Sequence, residues 1–282
     1  MSPSKPGESS GKRVIVVTGS YKGIGFEVVR LLCEHYGDRA TVYMTARDAT
    51  RAQPYMEQLK AKGLNPAFAE LDITSKDSVM ALKESLEREH NGVVHCIINN
   101  AGMAYKRDAP DPFPQQASET IANNYFGYLL ISEVLYPIVA NDGCVINVAS
   151  MCGKLNQVSD QYQKQLSEAD NIDTVTEVMN KFVAAAQKGE QKQAGFSNSA
   201  YGMSKLGMIA AGRVHAKQLA GRNIAVLNMC PGWCKSDMAG WERPPKTAAE
   251  GADTVVWLET MTHEEQMKRS GGFFQERKDY PW

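Results

Sequence analysis

Residues 13–18 (RVIVVT) form a short run of mostly β-branched apolar residues, which predicts a strand buried on both faces. A glycine-rich stretch, residues 19–25, follows it. Then Phe26, Val28, Val29, Leu31 and Leu32 predict a largely buried helix over 26–36. The alternation repeats along the chain. Strands are expected at 40–45, 66–71, 93–98, 144–148 and 224–229, with a last one beginning at 272–274. Helices are expected at 51–62 (ended by Gly63), from a Ser75 cap to about 89, at 118–136 (ended near Pro137), at 201–220 (ended by Gly221) and at 247–260. Such alternation predicts an α/β fold: one doubly wound parallel sheet with helices on both faces, forming a single domain over residues 13–282.

Residues 151–200 break the rhythm between the fifth strand and the next helix. Within them Val175, Val178, Met179, Phe182 and Val183 form a helical apolar stripe, with Asp173 or Thr174 as its cap. This insert is expected to pack on the body rather than form a second domain. Residues 1–12 are polar and rich in Ser, Pro and Gly, and are expected to be a disordered tail.

The 282 residues carry 31 Lys and Arg against 32 Asp and Glu, a net charge of -1. No basic excess points to nucleic acid or an anionic membrane, and no apolar run is long enough to span a bilayer. The six cysteines form no CxxC pair, and the five histidines show no metal-binding spacing. A cytoplasmic protein with reduced thiols and no metal is the expectation.

Four motifs carry chemistry. Thr18-Gly19-Ser20-Tyr21-Lys22-Gly23-Ile24-Gly25 lies between the first strand and the first helix, where glycines permit close approach of a pyrophosphate to the helix N-terminus. The second strand ends in Thr45-Ala46-Arg47-Asp48, where an NAD site usually carries an acidic residue. Arg47, Arg51 and Lys22 are expected to converge on a 2′-phosphate, so NADPH is predicted over NADH. Asp48 either claims the ribose or pairs with Arg51. Tyr201 and Lys205 share one helix face at i, i+4. An ammonium beside the phenol is expected to lower its pKa from about 10 toward neutrality, making a general acid. Ser150 ends the fifth strand, on the side where such sheets bind ligands. Asn99-Asn100-Ala101-Gly102 ends the fourth strand, its amides suited to holding neighbouring strands in register.

Together TGSYKGIG, Asp72, NNAG, Asn124, Ser150, Tyr201, Lys205 and Pro231-Gly232 resemble the short-chain dehydrogenase/reductase family, in the family's order and from about Arg13 onward. TARD at 45–48, the long insert and Cys230-Pro231-Gly232-Trp233 are similar to the monomeric NADPH-dependent carbonyl reductases within it. The resemblance implies a Rossmann fold, with Tyr201 as proton donor, Lys205 tuning it and holding the nicotinamide ribose, Ser150 binding the substrate carbonyl and Asn124 anchoring a water. It implies cofactor contacts at Gly19, Lys22, Gly23, Ile24, Gly25, Arg47, Arg51, Asp72, Ile73, Asn99 and Ala101, and at Pro231, Gly232, Cys234, Lys235 and Ser236. Gln116 and Met151 match substrate-side positions. Met151, Trp233, Met238 and Trp241 either wall an aromatic pocket or pack in core and loop. Tyr105, Lys106 and Arg107 lie where carbonyl reductases can meet glutathione conjugates. The implied substrates are ketones, aldehydes and quinones, acted on by a monomer whose insert covers the family's oligomer surface. Two alternatives stand: a narrow-substrate reductase for a pterin, steroid, prostaglandin or isoprenoid alcohol, or a non-catalytic NADP(H)-binding sensor.

Overall fold

The computed structural model describes residues 12–106 and 108–282. Residues 1–11 of the tail expected over 1–12, and Arg107, therefore lie outside the described residues. The strands are β1 (Arg13–Val17), β2 (Ala40–Ala46), β3 (Ala67–Glu70), β4 (Val94–Asn99), β5 (Val139–Val148), β6 (Ala225–Met229), β7 (Phe273–Gln275) and β8 (Lys278–Asp279). They form one sheet in the order β3-β2-β1-β4-β5-β6-β7-β8. Strand order reverses beside β1, which opens the crevice that doubly wound sheets use for ligands. All pairings are parallel except β7 with β8. That hairpin is a departure from the expected all-parallel sheet. Glu276 and Arg277, at φ 52° and 59°, make its two-residue turn without glycine, so the sequence carries none of the usual turn signal.

One face of the sheet is covered by α1 (Gly23–Tyr36), α2 (Ala49–Lys60), α9 (Ala248–Glu259) and α10 (His263–Lys268). The other carries α3 (Lys76–His90), α4 (Phe113–Ile121), α5 (Gly127–Leu135), α6 (Asp160–Ser167), α7 (Ile172–Gln187) and α8 (Ala200–Leu219). Apolar clusters fill both faces, which is why the strands read as continuous hydrophobic runs.

The helix expected over 118–136 is longer and broken. It starts at Phe113, with Pro114 in a first turn that needs no N–H donor, and passes through a π-helical turn at Ala122–Phe126 before α5. β5 starts at Val139, ahead of the expected 144, with a register shift against β4. In the insert, Val175, Val178, Met179 and Phe182 are buried as the stripe required. The cap is Asn171, whose carboxamide oxygen accepts from the Thr174 N–H at 2.9 Å, and not Asp173 or Thr174. α7 lies along α4 and α8. Among the described residues, no helix is long and apolar enough to cross a membrane.

Candidate active site

The turn after β1 closes against the segment after β4. Gly19 has φ +58°, and a Cβ there would sit 2.9 Å from the Ala101 Cα, so only glycine fits. Thr18 Oγ1 accepts from the N–H groups of Asn100 and Ala101, each at 3.0 Å. Asn100 Nδ2 donates to the Thr18 and Gly19 carbonyls at 3.0 and 2.9 Å. The amides thus tie strand ends together, as the sequence suggested. α1 begins with no side-chain cap and no acidic residue in its first turn. Its N–H donors and positive dipole end stay available to an anion. Ile24, Pro231 and Cys234 converge on Gly251, where a Cβ would lie 3.4 Å from Ile24 and Pro231 and 2.5 Å from the Cys234 sulfur. A Cβ on Gly23 would stand 3.9 Å from that of Ser236. The loop after β6 turns at Gly232 (φ +85°) and is pinned by the Lys235 N–H donating to the Lys246 carbonyl at 2.8 Å.

The three expected cations do not form a free cluster. Lys22 Nζ donates to Asp237 at 2.6 Å, which raises the Lys22 pKa. Arg51 stands 3.7 Å from Asp48. Asp48 caps α2, accepting from the Thr50 N–H at 2.8 Å, so its carboxylate is turned to the helix. Arg47 is exposed and forms no ion pair among the described residues. Asp72 accepts from the N–H and hydroxyl of Thr74, which hold its carboxyl below its ordinary range against the opposing pull of burial, with Arg47 assisting. Ile73 is buried against Gly127.

Lys205 is buried in α8 and donates to the Val148 carbonyl at 2.8 Å. Its ammonium lies 5.7 Å from the Tyr201 ring centre. Asn124 sits in the π-helical turn, which carries it into the site. Its carboxamide accepts from the Met103 N–H at 2.7 Å and donates to the Met103 carbonyl at 2.8 Å and to Ser204 Oγ at 2.9 Å. A Cβ on Gly102 would be 3.3 Å from Asn124 Oδ1 and 3.5 Å from Lys205 Nζ, so these three converge. Ser150 Oγ accepts from the Cys152 N–H at 3.1 Å and caps the 3₁₀ turn Met151–Gly153.

The expected lowering of the Tyr201 phenol is not found. Burial pushes its pKa up, with the Ser150 side chain pulling the other way. Lys205 instead shows the tension: burial lowers it to about 8. Desolvation outweighs pairing because, among the described residues, this ammonium has only a carbonyl and a thioether as partners.

Gln116 donates to the Asp111 carbonyl at 2.8 Å and so braces the segment before α4. Met151 packs on the core, while Trp233 (54% exposed), Met238 (41%) and Trp241 (62%) stand out from the loop after β6. Those three are therefore not in the core. Cys230 is buried and its thiol is raised by burial, which keeps it protonated.

A family model for short chain dehydrogenases matches residues 13–162. The chain belongs to this family. It is 38% identical over 282 residues to human carbonyl reductase (NADPH) 1, covering 97% of this chain and 100% of that one. It is 40% identical over 260 residues to mouse carbonyl reductase (NADPH) 3, covering 89% and 91% of the two chains. Salutaridine reductase from Papaver somniferum superposes with a TM-score of 0.82 at 27% identity, covering 94% of this chain and 100% of that one. An NADPH-bound carbonyl reductase from chicken fatty liver, at 22% identity and a TM-score of 0.69 over 96% and 99% of the chains, shares the fold.

In this short-chain dehydrogenase Asn99 also holds neighbouring strands in register, through two partners, Asn147 and Asn228, that the sequence did not single out. Asn99, Asn147 and Asn228 are register partners on β4, β5 and β6. Asn99 Nδ2 donates to Asn147 Oδ1, and Asn147 Nδ2 to Asn228 Oδ1, each at 2.9 Å. Asn99 Nδ2 also donates to the Tyr136 hydroxyl at 3.0 Å, and Tyr128 bonds His215 at 2.8 Å. Asn99, expected at the cofactor, thus has its amide nitrogen committed to the ladder, and its buried Oδ1 has no partner among the described residues. Gly212 lets α8 approach, since a Cβ there would be 2.2 Å from Asn228 Oδ1. The available signal was an Asn at matching depth in three apolar strands.

Proposed function

We propose that Tyr201 is the proton donor in the NADPH-dependent reduction of ketones, aldehydes and quinones to alcohols or hydroquinones. The chain is an NADPH-dependent oxidoreductase of the short-chain family, on the strength of relatives named carbonyl reductase (NADPH) that match nearly all of it. The residues fit that cofactor: an uncapped α1 N-terminus for a pyrophosphate, Arg47 exposed at the end of β2, and Asp48 turned away into its helix cap. Gly19, Gly23, Ile24, Ala101, Pro231, Cys234 and Ser236 would form its cradle. Lys22 and Arg51 would join Arg47 on leaving Asp237 and Asp48.

The hydride would come from NADPH when bound. The protein's part is to hold the carbonyl and deliver one proton. Ser150 Oγ hydrogen-bonds the carbonyl oxygen. The Tyr201 hydroxyl gives its proton to that oxygen, and Lys205 stabilises the phenolate left behind. Asn124 anchors the water that reprotonates it. The observation that carries this reading is the convergence of Lys205 Nζ and Asn124 Oδ1 beside Gly102, with Tyr201 one helical turn from Lys205. Trp233, Met238 and Trp241 offer aromatic and apolar surface to a planar substrate. α7 lying along α4 and α8 supports a monomer, with a solution mass near 31.0 kDa expected. The six free thiols suit the cytoplasm.

Menadione with NADPH tests this by loss of reduced-nicotinamide absorbance. Tyr201→Phe should cut turnover by about 10²–10⁴-fold with NADPH binding intact. Full turnover in the variant removes Tyr201 as donor. A narrow-substrate reductase is the second reading. It is favoured by the likeness to salutaridine reductase and to menthone neomenthol reductase from Mentha piperita (TM-score 0.77, 25% identity). A substrate panel separates the two.

A further inference from the structure

The segment after β7 does more than finish the sheet. β8 turns back on β7, and the Tyr280 N–H donates to the Phe273 carbonyl at 2.8 Å. The chain then runs to the 3₁₀ turn that follows Ser150. The indole N–H of Trp282 donates to the Gly153 carbonyl at 2.8 Å. The Trp282 ring lies 5.3 Å from the Arg213 guanidinium of α8, and that Arg213 also donates to the Gly271 carbonyl at 3.1 Å. Lys154 sits over the Tyr280 ring at 5.2 Å. Three tethers therefore join residues 280–282 to the catalytic turn and to the helix of Tyr201 and Lys205.

Gly153 is where these tethers act. It is buried, and a Cβ there would lie 2.6 Å from the Lys205 carbonyl carbon and 2.8 Å from the Leu206 nitrogen. The turn thus rests directly on the backbone of Lys205. Its other end is Ser150, whose carbonyl accepts from the Gly153 N–H at 2.9 Å and whose hydroxyl accepts from the Cys152 N–H. A push on Gly153 is transmitted to both the Ser150 hydroxyl and the Lys205 backbone.

We propose that Trp282 is a positioning residue: it straps the Met151–Gly153 turn onto α8 and so sets the Ser150 hydroxyl at the same substrate oxygen as the Tyr201 hydroxyl. The inference rests on the proton-donor reading above. Its force comes from the steep dependence of rate on the placement of reacting groups. The strap touches none of the residues expected at the cofactor phosphates or adenine, so it acts mainly on turnover, with cofactor affinity changed only as far as the Lys205 contact to the nicotinamide ribose contributes.

The test uses the full chain with NADPH and menadione. Trp282→Phe keeps a ring over Arg213 and removes the N–H. Its kcat is expected to fall about fivefold to tenfold, with NADPH Kd within twofold and thermal midpoint within a few degrees of wild type. Trp282→Ala should lose more kcat, and the pH dependence of kcat should shift in both variants as Lys205 moves relative to Tyr201. An unchanged kcat in Trp282→Phe, or a loss in Trp282→Ala that only tracks the folded fraction, overturns the strap. Absent turnover in wild type, or full turnover in Tyr201→Phe, defeats the reading of the site instead. Hydrogen exchange over residues 150–153 then decides the strap: it should quicken several-fold in Trp282→Phe, and equal rates would reject it.

Discussion

Arg13 and Lys205 are cations drawn out of water at opposite ends of the same parallel sheet, and the chain treats them differently. Arg13 opens β1 and meets Glu259, a fully buried carboxylate, at 2.7 Å. The other Glu259 oxygen accepts from the Tyr36 hydroxyl at 2.7 Å. Burial alone would lower Arg13, but the Glu259 charge and hydrogen bond, with Cys144 and Cys96 nearby, raise it overall, and the guanidinium stays charged. Among the described residues, Lys205 has no carboxylate in an ion pair with its ammonium. It has the Val148 carbonyl, and burial lowers it to about 8. A structural charge is neutralised where it lies. The charge at the site is left uncompensated, and in the proposed mechanism a developing phenolate would become its partner.

Breaking the structural pair should have the largest effect on stability. Glu259→Ala leaves Arg13 without its counter-charge and should cost about 3–5 kcal/mol, read as a lower urea midpoint. Turnover per folded molecule should persist. Equal loss of turnover and stability at every temperature would mean that this end of the sheet also shapes the site.

Lys205→Met inverts the outcome. Turnover should collapse while stability at neutral pH rises. Moving an ammonium from its ordinary value near 10.5 to about 8 costs wild type roughly 3 kcal/mol, at about 1.4 per unit. Loss of the bond to Val148 returns about 1 kcal/mol, so a net gain of about 2 is expected at pH 7. The sign follows from linkage: between about 8 and 10.5 the unfolded chain binds the extra proton, so wild-type stability rises with pH over that window. The advantage of the variant should shrink from pH 8 upward. Midpoints in urea at pH 7 and pH 10 measure it, and a variant less stable than wild type at pH 7 would show that Lys205 is well compensated.

The smallest effect sharpens the comparison from a neutral network. Gly212→Ala drives a methyl against Asn228 Oδ1 and should cost about 1–3 kcal/mol. The ladder holds β4, β5 and β6 in register beneath the site, so kcat should fall modestly while NADPH affinity holds. A neutral substitution would mean that α8 can back away without disturbing the Asn side chains.

Local chemistry made most of the architecture legible. The β-branched runs, the glycines after β1, the Ser75 cap and the i, i+4 spacing of Tyr201 and Lys205 each depend on residues close in sequence. Their consequences survive into the fold because backbone sterics and helical periodicity act over a few residues. The stripe in the insert was readable for the same reason, although its cap shifted to Asn171. Tertiary structure alone decided how the charges were spent. Lys22 went to Asp237, 215 residues away, and not to a shared phosphate cluster. The Asn ladder, the antiparallel β8 and the Trp282 strap join segments that no local pattern relates. The direction of the Tyr201 shift belongs with them: spacing placed an ammonium beside a phenol, but the water each lost on burial set the sign, and desolvation is a property of the whole surrounding fold.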